Sequence, residues 1–278
     1  MTQPIPNILT IAGIDPSGGA GVLADVKAIS ALGGYACAVV AALTAQNTQT
    51  VTDIEPVSPR FVGQQIDTLF DDVKIDALKI GMLGQAPVIE AVSQCLGLRA
   101  PPHVVLDPVM VSKSGAMLLE ARAVSALREA LLPLATFMTP NLPEASVLLE
   151  RGAIESKRDM RRVAEQLREM MSHKGQRWVF LKGGHLPGDD TTDFLHDGDV
   201  MIELPGHRIT TQNTHGTGCT LSAALATLLG LGHTAPDAAQ VAKKYLVQAI
   251  SQGHELSVGQ GHGPVHHFHH LWRKTPVQ

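Results

Sequence analysis

The stretch Ile8-Leu9-Thr10-Ile11-Ala12-Gly13-Ile14-Asp15-Pro16-Ser17-Gly18-Gly19-Ala20-Gly21-Val22-Leu23-Ala24 decides the fold. Residues 8–12 are apolar or β-branched and read as a buried strand; a glycine-rich loop follows, and a helix begins near residue 20. The same order repeats outward along the chain. Further strands are expected at 36–43, 77–80, 104–107, 137–139 and 178–182, and helices at 20–32, 59–72, 87–96, 120–131 and 158–172. Strands alternating with helices predict an α/β fold with a mainly parallel central sheet. Asp197-Gly198-Asp199 predicts a tight hairpin between strands at 193–196 and 200–203, and two Ala/Leu-rich helices at 220–230 and 235–252 close the chain. No linker, repeat or low-complexity block interrupts this order, so one domain over 1–278 is expected.

Composition narrows the partners. The net charge is −4, and no Lys/Arg run exceeds a pair, which leaves no basic face for nucleic acid and points to a small molecule. The three cysteines, Cys37, Cys95 and Cys219, lack a CxxC spacing, which argues against a disulfide framework or a zinc site. Residues 1–7 carry no basic leader, and no uninterrupted apolar run reaches membrane-spanning length. A cytoplasmic protein with no membrane partner is expected.

Two glycine-rich segments stand where strands pass into helices, where backbone amides and a helix dipole can hold an anion. The first contains Gly19-Ala20-Gly21-Val22-Leu23-Ala24, a loose match to a dinucleotide loop. An Asp-Pro-Ser insert precedes it and 33–49 contain no acidic residue for a ribose, which weakens a nicotinamide oxidoreductase. The second, His215-Gly216-Thr217-Gly218-Cys219-Thr220, opens a helix. Its glycines can turn amides toward one point, Thr217 and Thr220 add hydroxyl donors, and a thiol at a helix start is expected to have its thiolate favoured. A packing turn with a buried, inert Cys219 is the alternative. No Walker-type phosphate loop is present.

Ligands of open α/β sheets gather at the carboxyl ends of the strands. Five polar groups fall there: Gln46-Asn47-Thr48, Gly81-Met82-Leu83-Gly84, Asp107-Pro108-Val109-Met110, Thr139-Pro140-Asn141-Leu142-Pro143-Glu144 and Lys182-Gly183-Gly184-His185. Lys182 suits a phosphate as a point charge, and Asn141 with Glu144 suits a hydrated Mg²⁺. Each segment alone could be a turn or a helix cap, and Met82 could be core. The histidines at 254, 262, 266, 267, 269 and 270 lack an ordered zinc spacing and are expected to pack a terminal segment.

Over nearly its whole length the chain resembles the hydroxymethylpyrimidine kinase/phosphomethylpyrimidine kinase family of the ribokinase-like superfamily. The resemblance rests on the glycine-rich start with Asp25, on Ala45-Gln46-Asn47-Thr48, Lys79-Ile80-Gly81-Met82, Asp107-Pro108-Val109-Met110, Lys113-Ser114-Gly115, Asn141-Leu142-Pro143-Glu144, Lys182-Gly183-Gly184-His185 and His215-Gly216-Thr217-Gly218-Cys219. It implies a three-layer α/β/α sandwich and two successive phosphoryl transfers from MgATP, to 4-amino-5-hydroxymethyl-2-methylpyrimidine and then to its monophosphate, for thiamin biosynthesis. By the same resemblance Gln46 reads the ring, and Gly13, Asp25, Met82 and Val109 shape its pocket. Gly216, Thr217, Gly218 and Cys219 form the catalytic anion hole, Cys219 standing where related sugar kinases carry an Asp base. Lys182, Asn141 and Thr217 serve ATP, Asp107 and Glu144 serve Mg²⁺, and a homodimer is implied. A pyridoxal kinase, or a bifunctional pyrimidine/pyridoxal kinase, is the close alternative. A nucleotide-binding regulatory protein is the non-catalytic one.

Overall fold

The structure, a computed structural model, describes residues 4–99, 101–110 and 121–272. The Lys113-Ser114-Gly115 motif lies outside them. β1 (Asn7–Ile14), β2 (Tyr35–Gln46), β4 (Ala77–Ile80), β5 (Val104–Leu106), β6 (Phe137–Met138) and β7 (Trp178–Leu181) form the parallel centre of the sheet. Among the described residues its order is β3-β2-β1-β4-β5-β6-β7-β8-β9, with antiparallel additions at both edges: β3 (Val51–Pro56), β8 (Asp193–His196) and β9 (Met201–Leu204). The expected alternation and hairpin are both present.

Helices cover both faces and make the three layers. α1 (Gly21–Ala31), α7 (Thr217–Gly230) and α8 (Ala235–Ser251) pack on one face, with Ile8, Ala77, Val105, Phe137 and Phe180 beneath them. On the other face α2 (Pro59–Phe70), α3 (Ala86–Leu98), α4 (Ala121–Ala126), α5 (Leu142–Leu148) and α6 (Lys157–Met170) cover Leu9, Ile11, Leu78, Ile80, Leu106 and Val179. Side chains alternate along a strand. Thr10, Lys79, Asp107, Thr139 and Lys182 therefore share parity with the residues under α1 and α7, and these five belong to one face.

Three elements depart from expectation. β3 reads poorly as a strand because Thr52, Asp53 and Glu55 all face solvent at the sheet edge, which leaves no alternating apolar signal. It extends β2 to Gln46, well past the expected end at residue 43. α5 hides inside the Asn-Leu-Pro-Glu segment, where Asn141 caps the helix and Glu144 returns the bond in a reciprocal capping box. The helix expected over 120–131 is α4, continued by a π turn at Leu127–Leu131 and ended by a 3-10 turn around Pro133; residue 120 lies outside the described residues.

Phe180 is fully buried between the sheet and the α7/α8 layer. Phe180→Ala is expected to cost about 3–5 kcal/mol in urea unfolding, and a loss below about 1 kcal/mol would show that this layer packs loosely.

Candidate active site

Four residues expected to shape a pocket, Gly13, Gln46, Met82 and Val109, lie at the ends of four neighbouring strands, β1, β2, β4 and β5. The Gly13 amide donates to the Met82 carbonyl at 2.9 Å, and a Cβ at Gly13 would lie 2.6 Å from Met82 Cε, so glycine is what lets the Met82 side chain lie over β1. Gln46 ends β2, half-buried, and its Oε1 accepts from Thr44 Oγ1 at 3.2 Å. Val109 is half-buried two residues beyond Asp107, its amide donating to the Asp107 carbonyl. Asp25 sits apart from these four. It is a fully buried residue of α1 itself, where Oδ2 accepts from Lys79 Nζ at 2.7 Å and Thr10 Oγ1 at 2.6 Å, and Oδ1 has no hydrogen-bond partner among the described residues.

Lys79 is the residue that sequence reading passed over. Its side chain is completely buried, which opposes charge, yet the carboxylates of Asp25 and Asp107 hold its ammonium well above the ordinary lysine range. Burial conversely pushes the Asp25 carboxyl up, with Lys79 pulling against it. Toward β7 a second group continues the alternation of charge. Lys182 Nζ lies 3.2 Å from Asp107 Oδ1 and 3.7 Å from Glu144 Oε2, and Thr139 Oγ1 and Ser222 Oγ also donate to Asp107. Burial pushes the Glu144 carboxyl up to about 7, against the pull of Lys182. Although buried itself, Lys182 is held above its ordinary range by Asp107 and Glu144.

The anion loop closes this group from above. Gly216 is left-handed at φ 78°, and a Cβ there would lie 1.8 Å from the Gly19 carbonyl oxygen, so the two glycine-rich loops touch backbone to backbone. Asp15 fastens them: its carboxylate accepts from Ser17 and Ala20 and sits 2.7 Å from His215 Nε2, 200 positions away. Burial works against the Asp15 charge, but these bonds from His215 and Ser17 hold its carboxyl below the usual range. Gly218 is the second residue of α7, and a Cβ there would lie 3.4 Å from both Asp107 Oδ2 and Lys182 Nζ. Thr217 is half-buried at the first position of α7.

Two expectations change. Thr220 does not face the loop; it is fully buried, with Oγ1 3.0 Å from His267 Nε2. The expected Cys219 thiolate is disfavoured by burial. Burial pushes the thiol up to about 11; Lys79 opposes this, and Asp25 and Asp107 reinforce it. The histidine-rich segment packs as expected, with His266 and His267 buried.

Chemically, the amides at the start of a 14-residue helix, an ammonium and two carboxylates meet at one place. Amides and Lys182 suit phosphoryl oxygens. No group of three or more His, Cys, Asp or Glu side chains forms a metal cage among the described residues. Two carboxylates with hard oxygen donors nevertheless fit Mg²⁺, which keeps waters and takes substrate phosphates to complete its shell.

With burial raising all three thiols, iodoacetamide at about pH 7.5 is expected to label the native chain slowly and the unfolded chain fully, as counted by mass spectrometry. Labelling of Cys219 faster than free cysteine would place a thiolate in the resting site.

Residues 15–266 match the phosphomethylpyrimidine kinase family. A hydroxymethylpyrimidine/phosphomethylpyrimidine kinase from Rhizobium meliloti is 48% identical over 265 residues, covering 95% of this chain and 98% of the relative. The crystal structure of a phosphomethylpyrimidine kinase from Clostridium difficile superposes with a TM-score of 0.78 at 37% identity, covering 88% of this chain and 99% of the other. An ADP complex of Bacillus subtilis pyridoxal kinase superposes with a TM-score of 0.85 at 32% identity, covering 95% and 98%. Sheet order, site geometry and these likenesses agree: the chain has the ribokinase-like fold and belongs to the phosphomethylpyrimidine kinase family.

Proposed function

We propose that this chain transfers the γ-phosphoryl group of ATP to the hydroxymethyl of 4-amino-5-hydroxymethyl-2-methylpyrimidine, and then a second phosphoryl group to the monophosphate, supplying thiamin biosynthesis. The observation that carries this reading is the meeting of Gly218, Lys182 and Asp107 at the start of α7, beside the strand ends that bear Gly13, Gln46, Met82 and Val109. Phosphoryl transfer asks a protein mainly for positioning and charge neutralisation. In this reading Gln46 pairs with the ring through its amide, while Gly13, Met82 and Val109 close around it and Asp25, buried apart from them, holds Lys79.

The Gly216–Cys219 amides then hold the transferring group, and Lys182, with Asn141 and Thr217 nearby, receives the nucleotide phosphates. Asp107 and Glu144 would hold Mg²⁺, which supplies charge neutralisation when bound with ATP. Cys219 stands where the substrate hydroxyl arrives. A thiol pushed up to about 11 carries its proton at neutral pH, so Cys219 can take the proton of the hydroxyl only after releasing its own to solvent, and until then it serves as a hydrogen-bond donor beside that hydroxyl. Lys79 favours the thiolate that this release leaves. The whole of 1–278 acting as one cytoplasmic domain, paired as a homodimer, completes the reading. Among the described residues no helix is long and apolar enough to cross a membrane.

Likeness to pyridoxal kinase favours one second reading, phosphorylation of pyridoxal by the same site. An ATP-coupled assay with the pyrimidine, its monophosphate and pyridoxal side by side separates the two. Turnover of both pyrimidines is expected, and turnover of pyridoxal alone would overturn the proposal. Cys219→Ser should lower turnover about 10- to 100-fold with its thermal midpoint nearly unchanged. Near-normal rates would remove Cys219 from the chemistry.

A further inference from the structure

The C-terminal segment from Gly259 onward is not needed to complete the sheet, yet it touches both ends of the site. Its first half meets the loop beyond β2: the Gly261 amide donates to Thr48 Oγ1 at 3.1 Å, and the His262 amide donates to the Thr48 carbonyl at 3.0 Å. Thr48 lies two residues past Gln46. The chain then turns inward, and the next carbonyl, that of Gly263, accepts the His215 amide at 3.0 Å, with His215 pairing with Pro264 in a parallel bridge. Three consecutive residues thus join the loop that carries the ring-reading end to the residue just before the anion loop.

The join leaves no slack. A Cβ on Gly261 would lie 2.2 Å from the Thr48 carbonyl oxygen, and one on Gly263 would lie 2.0 Å from Asn213 Oδ1. Gly263, Pro264, Val265, His266 and His267 are all buried, so the far side of the segment is anchored in the core. Tyr245 Oη donates to the His267 carbonyl at 2.7 Å, and the His267 ring meets Thr220 in the first turns of α7. A terminal segment that only sealed the core would have no reason to bond both of these loops through its backbone.

We propose that residues 261–267 are a positioning strap that sets the distance between the substrate-reading loop after β2 and the anion loop before α7, with Thr48 and Gly263 as its two attachment points. This rests on the kinase reading above. Neither residue touches reacting atoms; each acts through Gln46 or Gly216.

Steady-state kinetics of the full chain with ATP and the hydroxymethylpyrimidine test it. Thr48→Val, which removes the hydroxyl but keeps the shape, is expected to raise KM for the pyrimidine about five- to tenfold, the equivalent of one hydrogen bond, with KM for ATP unchanged. Thr48→Ser should restore it. Gly263→Ala attacks the other attachment and should lower kcat per folded molecule by about the same factor, with the folded fraction measured by circular dichroism. It also keeps the inference falsifiable should Thr48→Val fail to fold. An inactive wild type would remove the functional reading and this inference with it. An active wild type whose variants match it, or lose every kinetic parameter in step with thermal stability, would remove the inference alone.

Discussion

Lys79 and Asp25 carry opposite charges where water cannot reach either, and the site is arranged around that pair. An ion taken out of water costs several kcal/mol, recovered only when a partner is held in good geometry. The 2.7 Å contact between them, with Thr10 as a second donor to the same oxygen, therefore fixes α1 against β1 and β4. α7 packs on α1, so the same pair also sets the height at which the anion loop begins. The ammonium of Lys79 then serves two neighbours: it balances Asp25, and it favours charge on Cys219.

A second layer of order comes from the pairing of the two glycine-rich loops. Gly216 has no room for a side chain because the Gly19 carbonyl is there, and Asp15 bonds His215 across the same contact. The loop that first looks like a weak dinucleotide signature is the packing partner of the Gly216 loop. Gly21 leaves room for the Gly13 carbonyl and Gly19 for the His215 ring.

Much of this was legible in the sequence, for a physical reason. Strands that are buried on both faces read as apolar runs, and ligand chemistry falls at their carboxyl ends, so Gln46, Met82, Asp107, Glu144 and Lys182 stood out by position. What stayed hidden required distance in the chain or direction in space. Lys79 lies inside an apolar strand with nothing in its neighbourhood to show that Asp25 answers it 54 positions earlier. The Asp15–His215 contact spans 200 positions. Thr220 carries a hydroxyl suited to an anion, but its place on α7 turns it toward His267. Only strand parity, once the face of one residue is known, could have gathered Thr10, Lys79, Asp107, Thr139 and Lys182 in advance.

That parity restricts how the gene can change length. Deleting Ala77 would turn the ammonium of Lys79 into the aliphatic layer under α2 and α3 and bring Leu78 into the layer under α1 and α7, inverting two environments at once. Insertions and deletions in such a chain are thus confined to the connections at the opposite rim of the sheet, where helices return to the strand beginnings. Lineages carrying this site can drift in loop length there while the spacing from each strand to its terminal polar residue stays constant.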